Sequence, residues 1–391
     1  MVRKYLLFFT IIILLYGTGC WDLQEIDDKA VTTAIGLDLE EGGKLRFSSF
    51  FISPTQPGET TGVIPSKPTI AAASDYGGAI AARRILLSLS RIPEYAHIRS
   101  IVISDDLVKN NFPLAVDLLT RNRNFSPETN LLVCVASHPE EILALTNNTD
   151  RILSQLVMVN EFQLGTCVPV PIHEFIYKLL TPGIEPAIPQ ITIEATKPGN
   201  KITSAGDKTE DPTGDIKKLV LQGTAVFKKD KKIGVLNEYE SRGFRWLNSS
   251  KKVGGLLAIK SPFNPDAYTM LEVLRFNSNT KPLVNENKIK MQIKINVRLS
   301  LYENTSGMET ITPASLKKME QAANQEISRQ VSHCIRKSQE LNSDILGWGL
   351  LLLQYQPDTW KQVKGNWNET FPLVEYDIKT ETSIINSSLS K

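Results

Sequence analysis

The chain has 391 residues, 44 basic and 42 acidic side chains and a formal net charge of +2 at pH 7. Without Arg3 and Lys4 the two signs balance at 42 each, so the basic footprint of a nucleic-acid binder is missing, although neutrality does not exclude local patches. The length suits two or three domains, and the abundance of Ile, Leu, Val and Phe in recurring periodic segments excludes a disordered tail.

Arg3 and Lys4 give a basic start, and Tyr5 to Tyr16 form an almost unbroken apolar stretch. That stretch is short for a membrane span of about 20 residues but suits the core of a secretory signal. Gly17-Thr18-Gly19-Cys20 follows and resembles a bacterial lipobox. The resemblance implies cleavage after residues 1–19, a diacylglyceryl group on the Cys20 thiol and a mature chain of residues 20–391 held to membrane lipid by its first residue. One acyl chain holds marginally and two hold stably. The competing reading is an ordinary signal peptide, or a short signal anchor, with a chance cysteine. The other cysteines, Cys134, Cys167 and Cys334, have no CxxC or metal-ligand spacing, and Cys134 lies in an apolar run that predicts a buried thiol.

Residues 20–196 read as an N-terminal α/β domain. Val31 to Leu39 and Leu45 to Ile52 predict a hairpin around Glu41-Gly42-Gly43. Residues 54–69 read as a Pro/Gly/Thr/Ser loop, and a helix is expected from about Ser74 to Ser90. His97 to Ser104 reads as a buried strand, with Asp105 or Asp106 capping a short helix and another helix from Pro113. Leu131 to Ala136 is a strand; Pro139 to Leu145, Asp150 to Gln163 and Pro169 to Leu180 are helical; Ile188 to Ala195 returns to strand. Strands alternating with helices define the α/β class. Arg121, Arg123 and Glu128 read as exposed or mutually paired rather than as an anion site.

Residues 197–216 are poor in apolar side chains and form the expected linker. A central domain over residues 217–268 opens with strand, charged turn and strand from Leu219 to Leu236. A helix from Glu238 carries Glu240 and Arg242, and Gly254 to Ile259 is another strand. Gly223 and Gly234 read as turn or strand-edge positions, since no phosphate-binding glycine motif surrounds them.

Residues 269–391 read as a C-terminal α/β domain. Lys288 to Leu301 alternates apolar and polar side chains throughout, the pattern of a strand with one buried face. Pro313 to Leu341 reads as a long helix with Ile327, Val331 and Ile335 on its apolar stripe. Its His333 and Cys334 point in different directions and suggest no metal site. Asp344 is placed to cap a helix through Leu353. Pro357 to Trp367 is expected to turn back toward a final strand at Val374 to Thr382. The predicted whole is a mixed α+β multidomain protein whose mixed β-sheets are flanked by helices.

Three stretches carry a further resemblance. The first is Gly19-Cys20-Trp21-Asp22 with Glu25-Ile26, Ala30 and Ile35-Gly36-Leu37-Asp38. The second is Gly223-Thr224-Ala225-Val226-Phe227 with Lys231, Gly234-Val235-Leu236, Glu240 and Arg242-Gly243. The third is Ser343-Asp344-Ile345-Leu346-Gly347-Trp348-Gly349 with Trp360 and Trp367. In order and spacing they resemble the Ger(x)C lipoproteins, the C subunits of spore germinant receptors (GerAC/GerBC-like). The resemblance implies three mixed α/β domains, no catalytic residues, no metal and no cofactor. It also implies A and B integral-membrane subunits as partners and a place on the outer face of the spore inner membrane. Trp21, Asp22, Glu240, Arg242, Asp344 and Trp348 are the residues it suggests for subunit docking. An autonomous lipid-anchored solute-binding protein is the alternative, and an envelope enzyme the third reading. No G-x-S-x-G, H-E-x-x-H or CxxC motif supports an enzyme.

Overall fold

The computed structural model describes residue 3 and residues 29–52, 69–89, 91–146, 152–196, 216–248, 253–285, 288–306 and 311–387. The signal segment apart from residue 3, with Cys20, Trp21 and Asp22, and the linker over 197–215 lie outside the described residues.

Nine strands form the first sheet. The hairpin of β1 (Lys29–Glu40) and β2 (Lys44–Ile52) turns on Gly42 and Gly43, both at positive φ, and β3 (Thr69–Asp75) pairs antiparallel with β2. On the other side of β1 the short β4 (Ile92–Glu94) and then β5 (Ser100–Ser104) pair in parallel. β6 (Asn130–Cys134) and β7 (Ala187–Thr196) continue the parallel run. β8 (Ile216–Lys228) and β9 (Lys231–Leu236) close the sheet antiparallel, so the strands that follow residues 197–215 extend the sheet begun at residue 29.

Helices cover both faces, as a sheet with a parallel centre requires. One face carries α1 (Gly78–Arg84), α2 (Asp105–Asn110), α3 (Phe112–Arg121) and, farther along, α6 (Ile172–Leu180); their core includes Ile101, Ile103, Leu131 and Val133. Between them in sequence, α4 (Pro139–Ala144) and α5 (Ile152–Val159) cover Val102, Leu132 and Cys134, the alternate residues of the same strands, on the opposite face. Phe112 of α3, Phe175 of α6 and Phe227 of β8 meet with centroids 5.3–6.1 Å apart. Each such ring contributes about 1.5–3 kcal/mol by burial, so the cluster fastens β8 to the earlier helices.

The second sheet has order β10 (Leu256–Lys260), β11 (Tyr268–Asn285), β12 (Lys288–Asn304) and β13 (Glu375–Ser387), with β12 and β13 parallel. Its apolar face, Met291 to Leu299 at alternate positions, lies in one core with α7 (Glu238–Asn248) and the long α8 (Pro313–Glu340). Gly243 is the point of closest approach between these helices: a Cβ there would stand 2.1 Å from the Gln330 carbonyl oxygen. After α8 come α9 (Trp348–Tyr355), α10 (Pro357–Val363) and the single turn α11 (Trp367–Thr370). The protein is thus a multidomain α/β chain with mixed sheets flanked by helices.

Several elements differ from the expectations. The stretch expected as one helix from Ser74 to Ser90 is divided: its start is the end of β3, α1 covers seven residues, and a 3-10 turn follows at Ile85–Leu87. The cap of α2 is Ser104, whose Oγ accepts from the Leu107 amide at 3.2 Å, so Asp105 and Asp106 fall in the first turn. Pro357 to Trp367 is helical rather than a turn. Cys134, Cys167 and Cys334 are free and buried, and burial raises each thiol above its ordinary value.

Candidate functional site

The residues of the third stretch converge on a junction between the two sheets. Asp344 is 3% exposed. Its Oδ1 accepts from the Trp348 amide at 2.9 Å, and its Oδ2 accepts from the Gly349 amide at 2.8 Å and the Trp367 indole at 3.1 Å. The carboxylate therefore ties the start of α9 to α11. Burial pushes the Asp344 carboxyl up to about 7, against these N–H donors, which favour the ionised form.

The backbone around Asp344 reaches the first sheet. Its carbonyl accepts from the Glu185 amide at 2.9 Å, and the Gly183 carbonyl accepts from the Leu350 amide at 2.8 Å. Gly183 and Gly349 cross so closely that a Cβ on Gly349 would lie 2.6 Å from the Gly183 Cα. Ser343 Oγ donates to the Phe227 carbonyl, adding a third link. Trp348, 1% exposed, packs on Phe371 and Tyr376. Both Asp344 and Trp348 are inside the molecule, where they shape the junction; the loop over 181–186 that completes it carries Pro182, Gly183 and Pro186, a turn signal the sequence reading did not use.

Glu240 and Arg242 lie elsewhere, on α7. Glu240 Oε2 accepts from the Asn237 amide at 2.8 Å while Asn237 Oδ1 accepts from the Glu240 amide at 2.9 Å, a reciprocal cap of the helix start. Arg242 donates to the Leu256 carbonyl at 3.0 Å and to Glu238 at 3.1 Å, joining α7 to β10. The six residues suggested for docking therefore do not form one cluster: two lie outside the described residues, two are buried at the junction and two brace α7.

Sequence reasoning missed Arg245, one turn past Arg242. It is 2% exposed, donates to the carbonyls of Val253 and Gly254 at 2.9 and 2.8 Å, and stacks over Phe276 at 5.2 Å. Burial lowers its guanidinium to about 10, while the charge of Glu161 acts in the opposite sense. Glu161 belongs to the π-turn at Asn160–Leu164, and the Phe162 carbonyl accepts from the Gly255 amide at 2.6 Å. This is a second seam between the first sheet's helices and the second sheet.

A cavity of about 960 Å³ opens at the N-terminal ends of the parallel strands, lined by Thr33, His97, Arg99, Glu128, Asn130 and His173 among others. Glu128 stands 3.5 Å from His173, while Arg121 pairs with Asp117 and not with Arg123 or Glu128. Among the described residues no group of three or more His, Cys, Asp or Glu is placed to hold a metal ion. The geometry is that of two internal seams joining the first sheet and its helices to the second.

The two halves match known proteins in the same order. Residues 22–193 match the family described as "spore germination protein N-terminal domain", and residues 222–388 match "spore germination B3/GerAC like, C-terminal". The chain belongs to the GerAC/GerBC-like family of spore germination receptor C subunits. It is 26% identical over 404 residues to spore germination protein KC of Bacillus subtilis (strain 168), covering 100% of this chain and 97% of the relative. It is also 26% identical over 370 residues to the putative spore germination protein YfkR of the same organism, covering 92% and 91%. The crystal structure of the GerBC protein shares the fold with a TM-score of 0.56 at 16% identity, over 90% of this chain and 97% of that one.

Proposed function

We propose that this chain is the lipid-anchored C subunit of a nutrient germinant receptor, tethered through Cys20 to the outer face of the spore inner membrane. There it assembles with the A and B integral-membrane subunits and supports signalling in germination. The observation that carries the proposal is the succession of a Gly19-Cys20 lipobox-like sequence and both family matches along one chain. Among the described residues no helix is long and apolar enough to cross a membrane, which is compatible with a lipid tether. A tether confines the subunit to the plane of its partners and raises their effective concentration. Asp344 and Trp348 would act in docking by holding the α9 and 181–186 loops in place, and Glu240 and Arg242 by fixing α7.

The decisive experiment is co-purification of the wild-type chain with the two membrane subunits from spore membranes under mild detergent. Stable association is expected; its absence under conditions that keep A and B together overturns the assignment. Cys20→Ala should abolish acyl labelling and impair membrane accumulation, and normal labelling of that variant excludes Cys20 as the anchor. The 960 Å³ cavity favours a second reading, an autonomous solute-binding protein. Calorimetric titration of nutrients against residues 21–391 separates the two, since only the second reading expects binding by the isolated chain.

A further inference from the structure

Exposed apolar side chains gather in the stretch that leads from α1 to β4, the strand paired with the start of β1. Leu86 and Leu87 occupy the 3-10 turn after α1 and are 44% and 89% exposed; Ile92, at the start of β4, is 54% exposed. Ile92 is the register partner of Lys29, the first residue of β1. One helical repeat before Leu87, Ile80 is also 54% exposed. Three large aliphatic side chains held outward within seven residues is an arrangement that an aqueous face does not favour.

Their position gives them an occupant. Cys20 precedes Lys29 by nine residues, a length that spans at most ~30 Å when fully extended. If Cys20 carries the lipid, Lys29 and its neighbour Ile92 are held within that distance of the bilayer. The last turn of α1 adds Arg83 and Arg84 with no acidic residue in its first turn; Arg84 pairs with Asp75 at 2.6 Å and Lys29 with Glu94 at 3.0 Å, while Arg83 is exposed. Aliphatic tips beside arginines match the two layers of a membrane interface, acyl boundary below and anionic headgroups above.

We propose that Leu86, Leu87 and Ile92 form a lipid-contacting lip that enters the membrane interface beside the tether and orients the subunit. The inference rests on the anchoring reading and adds a direction to it. The N-terminal ends of β1, β5 and β6 face the bilayer, and the cavity framed by Thr33, Arg99 and Asn130 opens on that side. A single point of attachment would leave the orientation of the domain on the membrane unset. A second contact fixes which surface the membrane partners meet.

The test uses the full lipidated chain in vesicles of phosphatidylethanolamine and phosphatidylglycerol with brominated acyl chains. Leu87→Cys and, as a control on the second sheet, Tyr302→Cys carry an environment-sensitive thiol label; Tyr302 is 66% exposed, and Cys134, Cys167 and Cys334 are buried. The label at 87 is expected to shift to the blue and to be quenched several-fold more than the label at 302. Adding Leu86→Asp and Ile92→Asp, both at exposed positions, should abolish that difference without changing the circular dichroism. Equal quenching at the two positions overturns the proposal, as does shielding at 87 that occurs only when the membrane subunits are present. Acylation of Cys20, read by intact mass, is scored separately, so a failed anchor and a failed lip give different results.

Discussion

The amide of Leu350 donates to the carbonyl of Gly183 at 2.8 Å, joining the first turn of α9 to the loop that leads into β7. The bond is possible because Gly183 and Gly349 let two backbones approach where any Cβ would intrude. Trp360 closes the same space, 2.8 Å from a Cβ built on Gly349. The two halves of the chain are thus joined by backbone contact as well as by side-chain packing.

Gly349→Ala should therefore weaken the junction. The new methyl meets backbone and an indole that cannot both retreat, an overpacking that costs about 1–3 kcal/mol. Urea denaturation of residues 21–391 should show the loss. Gly243→Ala, which meets the Gln330 carbonyl, should show a comparable one. Unchanged midpoints for both variants would mean that the seams relax freely.

Asp344→Asn should cost about 2–4 kcal/mol at acid pH, because both oxygens of the carboxyl can accept from the surrounding N–H donors even when it is protonated, whereas the amide nitrogen cannot. Burial raises the Asp344 carboxyl from its ordinary 3.8 to about 7. The folded state accordingly binds its proton more tightly than the unfolded state. Its contribution is complete below about 3.8 and is lost as pH rises through about 7. The deficit of the Asn variant should be largest at acid pH and shrink toward pH 8 in a series of thermal melts.

Asp105 should behave in the opposite sense. Burial alone would raise it, but hydrogen bonds from Lys109 and Lys232 outweigh burial and hold it below its ordinary 3.8. Lys232 reaches it from β9, with its side chain only 5% exposed. Asp105→Asn leaves that ammonium without its charge partner and should cost about 3 kcal/mol at neutral pH. The stability from Asp105 is present above 3.8 and lost as pH falls through its lowered folded value, so the deficit should shrink on acidification.

The three buried thiols give a simple check of the fold. Cys134, Cys167 and Cys334 are at most 2% exposed, and desolvation raises all three. The thiolate is the reactive form. Native protein lacking Cys20 should show no rapid reaction with a disulfide reagent at pH 8, and full reaction of three thiols in denaturant. Rapid native labelling of any of them would place that cysteine elsewhere.

Patterned elements are legible in the sequence alone. The alternation over Lys288 to Leu301 covers all but the last three residues of β12, and the four-residue stripe of Ile327, Val331 and Ile335 lies on α8. Asp344 was readable as a cap because a carboxylate four residues before Trp348 meets the free amides of a helix start. β11 was missed: its alternation is broken by a register shift between Val273 and Arg275, and Pro282 with several Asn and Ser residues dilutes the apolar pattern. β3 was missed because three consecutive alanines carry little strand preference, and its pairing with β2 supplies what local propensity lacks.

The sequence by itself determined the family and the α/β class, because motif order and hydrophobic period are local properties of a chain. Only the tertiary structure decided that Asp344 and Trp348 face inward, that Glu240 caps its own helix and that Arg245 sits in a seam. Which side chains remain free for a partner depends on what folds against them, and Gly183 meets Gly349 across a separation of 166 positions that no local pattern spans.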